Sequence, residues 1–256
     1  MRKILVTGCS GFIGMHLCRS LLSEKYDVLG IDNMNSYYSV SLKNARLKQL
    51  EKYKNFHFRK ADITDIDSLK KIFKFYKPYK VVNLAAQAGV RYSISNPQTY
   101  VQTNILGFVN ILECCSIYDV KQLVYASSSS VYGANTKLPF STLDKTDSPI
   151  SVYALSKKSN ELLANVYSHT KDLNSIGLRF FTAYGPWGRP DMAMYIFTKN
   201  IIAGKTISLF NHGEMIRDFT YIDDIVTGIR SSMASDSKNE VFNLGSQTKV
   251  DLKYVI

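Results

Sequence analysis

A short apolar strand, Ile4-Leu5-Val6, runs directly into Thr7-Gly8-Cys9-Ser10-Gly11-Phe12-Ile13-Gly14 and then into a helical pattern. That succession restricts the fold more than any other feature of the chain. Glycines at this spacing allow a tight turn and close approach of backbone to a pyrophosphate, while the following helix offers free N–H groups and the positive end of its dipole. Gly8, Gly11 and Gly14 are therefore candidate cofactor-binding positions. Tyr26–Ile31 reads as the next strand, and Asp32 stands at its end. A carboxylate there accepts both ribose hydroxyls of NAD and repels the 2′-phosphate of NADP.

The alternation continues downstream. Helices are expected at Val40–Lys52, Asp65–Tyr76, Pro97–Tyr118 and Pro149–Lys171, and strands at Phe56–Ala61, Tyr79–Leu84, Lys121–Ser127 and Ser175–Phe180. Apolar strands separated by amphipathic helices predict an α/β fold, a doubly wound parallel sheet of the Rossmann type. Ligands collect at the C-terminal ends of such strands, where Asp62, Ala85, Ala86 and the cluster Ser127-Ser128-Ser129-Ser130 fall. Residues 1–181 read as the dinucleotide-binding domain, with 218–236 returning to it. Residues 182–256 read as a small and incomplete substrate lobe. Within that lobe the expected elements are a strand at Thr206–Leu209, a strand and turn at Val241–Gly245, and a helix started by the capping box Thr248-Lys-Val-Asp251.

Tyr153 and Lys157 share one face of the helix that follows the serine cluster. A cation about 4 Å from a phenol, at an effective dielectric near 20, is worth about 4 kcal/mol, enough to bring tyrosine toward a useful general base. The spacing alone is weak evidence, since Tyr-x-x-x-Lys also occurs at Tyr76/Lys80, Tyr167/Lys171 and Tyr195/Lys199. The upstream Ser128 and the glycine loop single out Tyr153, making Ser128, Tyr153 and Lys157 the catalytic candidates.

A net charge of +11 invites a nucleic-acid reading, but the 32 basic residues are dispersed and form no basic arm or stacking platform. The positive field instead suits an anionic small molecule. Cys9, Cys18, Cys114 and Cys115 lack metal-ligand spacing and fit a reducing cytoplasm, and no metal is expected. Neither a secretory leader nor an apolar run of about 20 residues is present, so no membrane partner is expected.

Several longer stretches resemble one family closely. Asn83-Leu-Ala-Ala-Gln-Ala-Gly-Val-Arg-Tyr-Ser93, Ser127-Ser-Ser-Ser-Val-Tyr-Gly133, Arg179-Phe-Phe-Thr-Ala-Tyr-Gly-Pro-Trp-Gly-Arg-Pro-Asp191 and Arg217-Asp-Phe-Thr-Tyr-Ile-Asp-Asp224 are similar to extended short-chain dehydrogenase/reductases of the NAD-dependent epimerase/dehydratase family. Within it, the finer resemblance is to UDP-glucuronate 4-epimerases. This resemblance implies tightly bound NAD, a UDP-sugar substrate and a homodimer. It adds Phe12, Ile13, Ile63 and Asn104 to the cofactor-binding candidates, together with Tyr153 and Lys157. Tyr153 would take the proton of the sugar 4-hydroxyl, directly or through Ser128, and Lys157 would hold the nicotinamide ribose and lower the pKa of Tyr153. Ser129 and Thr182 would hold the substrate carboxylate, Arg217 the diphosphate, and Arg189 or Arg91 further anionic groups. Dehydratases of the family place an Asp-Glu pair before the Val-Tyr-Gly turn, and UDP-glucuronate decarboxylases a Glu; here Ser129 and Ser130 stand instead. Relatives continue beyond Ile256, so the chain reads as a fragment or a naturally short variant. A non-catalytic NAD-binding remnant is the rival expectation.

Overall fold

The structure, a computed structural model, describes residues 2–209 and 213–256. The first six strands are β1 (Lys3–Thr7), β2 (Asp27–Asp32), β3 (Phe56–Lys60), β4 (Lys80–Asn83), β5 (Gln122–Ser128) and β6 (Ser175–Phe180). Between them run α1 (Phe12–Ser23), α2 (Val40–Leu50), α3 (Ile66–Tyr76), two short turns α4 (Tyr92–Ser95) and α5 (Pro97–Tyr100), α6 (Gly107–Ile117) and α7 (Val152–Lys171). Beyond them lie β7 (Thr182–Tyr184), α8 (Ala193–Ile202), β8 (Ile216–Arg217), β9 (Phe219–Tyr221), α9 (Ile222–Ala234), β10 (Glu240–Leu244), β11 (Val250–Asp251) and α10 (Leu252–Val255).

Seven strands form one parallel sheet in the order β10-β6-β5-β4-β1-β2-β3. Its inner strands β1, β2, β4, β5 and β6 are buried on both sides, as parallel sheets with helices on each face require. Ile4 and Val6 join Val28, Val82, Val124, Ile176 and Leu178 in the core beneath α1 and α9. Leu5, Leu29, Val81 and Leu123 point the opposite way, into the core beneath α3 and α6. The strand order reverses between β1 and β4, which opens the crevice where doubly wound folds bind ligands. Thr7 Oγ1 spans that point, donating to Asn83 Oδ1 at 2.7 Å while accepting from Ala85 N–H at 3.0 Å.

Local chemistry sets the helix ends. Asp65 caps α3 by accepting from Ser68 N–H, and Ser151 caps α7 by accepting from Ala154 N–H. Lys77 and Asp172 close the same helices in left-handed conformations. The cap moves the start of α7 from the expected Pro149 to Val152.

Four further details differ from the sequence reading. The expected helix Pro97–Tyr118 holds a π-helical segment, Val101–Leu106, between α5 and α6. Thr206–Leu209 is not a strand. Asp251, not Thr248, caps the last helix, because Val250–Asp251 pairs with β8. The fourth is β10, assigned by sequence to the second lobe, which instead pairs with β6 along Glu240–Leu244 and forms an edge of the main sheet. Helix α9 packs on α1 against one face of the sheet. Among the described residues no helix is long and apolar enough to cross a membrane.

Candidate active site

The glycine loop is closed by contacts that exclude any side chain. Gly8 adopts a φ of 71°, and its N–H donates to Ile31 O at 2.7 Å. A Cβ on Gly8 would lie 2.8 Å from Ala85 N, and one on Gly14 would lie 2.1 Å from Gly8 O. Helix α1 starts after Gly11, which offers no capping side chain, so the first-turn amides remain available to an anion. Phe12 is buried in the core with its ring edge-on to His16, and Ile13 packs partly buried beside it. Asp32 is fixed at the end of β2, where its carboxylate accepts from Ser10 N–H at 3.1 Å and Met34 N–H at 2.9 Å.

At the end of β3, burial alone would raise the Asp62 carboxyl. Bonds from Asn33 and from the Thr64 amide and hydroxyl outweigh that effect and hold it below the usual carboxylate range. Ile63 is a core residue that fills the space left by Gly107. Ala85 and Ala86 are partly exposed at the lip beyond β4. Asn104, on the π-helical segment, is buried with its amide committed to the protein. It bonds both backbone groups of Gln87 and the Ser156 hydroxyl, and its own carbonyl accepts from Asn160. Asn104 therefore ties the loop beyond β4 to α7. The uncapped amides, the cradle free of Cβ atoms and the anchored Asp32 together fit a dinucleotide.

Next to this cradle, Ser128 closes β5 and begins the 3₁₀ turn Ser129–Tyr132, its hydroxyl accepting from Ser130 N–H and donating to Ser130 Oγ. Tyr153, in the first turn of α7, reaches the Ser128 hydroxyl. Burial pushes its phenol above the ordinary value, while the Ser128 bond and the charge of Arg189 pull it down. Lys157 differs from the sequence reading here. Its buried ammonium donates to Ala126 O at 2.8 Å, and burial lowers its pKa to about 8. Ser128 and Arg189 are thus the groups that oppose the upward effect of burial on the phenol, while the Lys157 ammonium is held against the end of β5.

The other three tyrosine–lysine pairs serve elsewhere. Tyr76 bonds Asp27 and Tyr167 bonds Glu113, while Tyr195 is exposed on α8. Behind the serines, Glu161 receives both Nε and Nη2 of Arg179 and the Ser127 hydroxyl, while Arg179 Nη1 donates to Tyr132 Oη. This buried ion pair joins β5, β6 and α7, so it fixes the floor on which Ser128 sits. Sequence reasoning missed Glu161; its only local sign is a carboxylate one helical turn beyond Lys157.

The substrate-side candidates fall in two groups. Arg189 is partly buried and paired with Asp191, to which Tyr37 Oη also donates at 3.2 Å. Tyr37, Tyr92, Tyr100 and Tyr153 form a chain of ring contacts leading back to Ser128. Ser129 is partly buried in the 3₁₀ turn, and Thr182 begins β7, its N–H bonded to Asp218 O. Arg217, on β8, and Arg91, ahead of α4, are exposed, with their charges close enough to repel each other. Two positively charged groups therefore lie near each other, apart from the Arg189 pair. Among the described residues no cluster of His, Cys, Asp and Glu could hold a metal ion.

Comparison with known proteins gives one answer. Residues 4–245 match the NAD dependent epimerase/dehydratase family. The chain is 58% identical over 227 residues to Protein CapI of Staphylococcus aureus, covering 89% of this chain and 68% of that protein. It is 48% identical over 270 residues to UDP-glucuronate 4-epimerase 4 of Arabidopsis thaliana, covering 99% of this chain and 62% of the plant protein. The crystal structure of UDP-glucuronic acid 4-epimerase from Bacillus cereus, in complex with UDP-glucuronic acid and NAD, superposes with a TM-score of 0.91 at 36% identity. That match covers 98% of this chain and 80% of the bacterial one.

Proposed function

The chain belongs to the NAD dependent epimerase/dehydratase family, and from that premise we propose that it epimerises a UDP-sugar at C4, interconverting UDP-glucuronate and UDP-galacturonate. One observation carries the reading: Tyr153 at the start of α7 is set between Ser128 at the end of β5 and the charge of Arg189, beside a glycine loop and an uncapped helix start that fit a dinucleotide. The Bacillus and Arabidopsis relatives support the choice of sugar.

Bound NAD supplies a reversible hydride acceptor for C4. Gly8, Gly11, Gly14 and the first turn of α1 would hold its pyrophosphate, and Asp32 its adenosine ribose. Tyr153 would take the proton of the 4-hydroxyl, directly or through Ser128, as the C4 hydride leaves to the bound NAD, and would give it back to the 4-oxygen when the turned 4-keto sugar regains the hydride on its other face. The bond from Ser128 and the charge of Arg189 favour the phenolate that forms and offset part of the cost of burying it. Lys157 holds the nicotinamide ribose. Ser129 and Thr182 would accommodate the sugar carboxylate, Arg217 the diphosphate, and Arg189 or Arg91 further anionic groups.

Residues 182–217 and 246–256 make up the substrate side, with 1–181 and the α9–β10 stretch on the dinucleotide side. The four cysteines are buried and unpaired, which supports a reducing, cytoplasmic setting. A second copy of the chain is the proposed protein partner.

The test is incubation of purified protein with UDP-glucuronate and separation of the C4 epimers. Tyr153→Phe keeps the ring and removes the oxygen, so turnover falls by about 10² to 10⁴ while NAD stays bound. Near-wild-type turnover in that variant would exclude Tyr153 as the base, and no epimer from NAD-loaded wild type would exclude the activity.

A further inference from the structure

The turn Gly185-Pro186-Trp187-Gly188 is held in an unusual way. Three consecutive carbonyls of this turn accept hydrogen bonds from side chains far away in sequence. His16, on α1, bonds Pro186 O through Nε2 at 3.0 Å. Arg46, on α2, donates to Trp187 O from Nε at 3.1 Å and Nη2 at 2.6 Å, and from Nη2 to Gly188 O at 3.1 Å. Its remaining nitrogen, Nη1, donates to Tyr38 Oη at 2.7 Å and to Ser10 O at 3.2 Å. Every N–H of the guanidinium is thereby used, and the side chain is wholly buried.

Packing alone does not account for this arrangement. A buried guanidinium bonded to carbonyls and a phenol, with no carboxylate among those partners, is costly compared with an apolar side chain of similar length. The turn itself needs an anchor. Trp187 has a φ of 64°, in the left-handed region that a side chain disfavours, and Gly185 one of 143°, so the bonds to the three carbonyls add to the packing of Trp187, 37% exposed, in holding the turn. Arg189 follows at once, and its charge acts on Tyr153. At the other end of the clamp, Ser10 lies in the glycine loop and its N–H binds Asp32.

We propose that Arg46, assisted by His16, is a positioning residue that couples the dinucleotide loop to the Arg189-bearing segment. Filling the cradle orders Ser10, Ser10 steadies the guanidinium, and the guanidinium fixes the turn that aims Arg189. The coupling is reciprocal, so a sugar nucleotide bound against Arg189 tightens the hold on the dinucleotide. Only the identity of the sugar nucleotide rests on the functional reading above.

The experiment compares NAD-loaded wild type with Arg46→Met, Arg46→Lys and His16→Phe by amide hydrogen exchange and by kinetics with UDP-glucuronate. The amides of Gly188 and Met192, bonded to Gly185 O and Arg189 O, report on the segment. Arg46→Met is expected to speed their exchange about tenfold, the loss of more than one net hydrogen bond, with α7 unchanged and NAD retained. Arg46→Lys keeps the charge without the planar fork and does not restore protection; His16→Phe gives a smaller effect in the same place. KM for UDP-glucuronate rises more than kcat falls. Wild-type exchange at 185–192 in a folded Arg46→Met variant overturns the proposal. If that variant does not fold, wild-type exchange there in both Arg46→Lys and His16→Phe overturns it instead. Should wild type fail to turn over UDP-glucuronate, the exchange measurements still decide the clamp, while the activity reading fails on its own.

Discussion

At the residue scale, Lys157 carries an electrostatic cost that depends on pH. Its pKa falls from an ordinary 10.5 to about 8 because the ammonium is buried with only Ala126 O to receive it. The sign follows from proton counting. Between those two values the unfolded chain binds more protons than the folded one, so stability rises with pH across that window. Below pH 8 the full penalty is present. Lys157→Met is therefore expected to raise the thermal midpoint at pH 7, by at most about 3 kcal/mol of stability less the cost of an unpartnered Ala126 carbonyl. The gain should shrink as pH approaches 10.5, as melting curves across pH will show, while turnover is lost. Ser130 is informative for the opposite reason, since it brings no charge to a site where related decarboxylases carry a glutamate. Its hydroxyl accepts from Ser128 at 3.1 Å, which places it beside the reacting groups. Neutral serines at 129 and 130 supply neither the acid and base that elimination of water requires nor a strong proton donor for the enolate that loss of carbon dioxide would leave. Ser130→Glu should raise the decarboxylated fraction of product from UDP-glucuronate, measured by chromatography of the nucleotide sugars. An unchanged product ratio would mean that the serine is not what protects the carboxylate.

The strand–loop–helix unit at the start of the chain shows most clearly, at the element scale, what a sequence can reveal. Gly8, Gly11 and Gly14 lie in one short loop between a strand and a helix, so their spacing in that context marks them as candidates, whereas Tyr153 stands out from three similar pairs only through the upstream Ser128 and the glycine loop. Gly14→Ala would place a methyl 2.1 Å from Gly8 O, a backbone atom that cannot move without opening the loop. It is expected to lose bound NAD, whereas Gly204→Ala, with no atom within 4 Å of its Cβ, should retain it and lose about 1 kcal/mol of stability to its positive φ. Absorbance of the purified variants reads both. What stayed hidden depends on distant partners. Arg46 meets Trp187 across 141 residues, and nothing around a charged residue on a weakly amphipathic helix announces a turn that far away. Strand β10 was legible as a strand but not as an edge of the main sheet, because its partner β6 lies beyond α9. The π-helical segment was hidden for a related reason: buried Asn104 is bonded to Gln87, Ser156 and Asn160, none of them in its own helix.

At the scale of the whole molecule, one outer face is too apolar to be an ordinary surface. Helices α6 and α7 pack side by side, tied by the bond between Tyr167 and Glu113. Leu155, Leu162 and Val166 form one stripe along α7, each about half exposed at 47%, 56% and 50%. Leu106 and Ile117 continue the patch at either end of α6, at 50% and 52%. The residues repeat at helical spacing, so they lie in rows rather than scattered, and rows of aliphatic side chains on two adjacent helices suit an antiparallel pairing with the same two helices of a second copy. Such a pairing would be isologous, and a single charge introduced in it would appear twice in the interface. Because α7 carries Tyr153 and Lys157 on its other side, the dimer would also stiffen the helix that holds the base. Leu162→Glu is expected to shift the protein from dimer to monomer in light scattering at micromolar concentration, because burying two unpaired carboxylates outweighs the aliphatic contact they replace. NAD content should remain near wild type, since the cradle lies at the strand ends, away from this face. A dimer that persists in both Leu162→Glu and Val166→Glu would move the interface elsewhere, and a wild-type monomer would remove it.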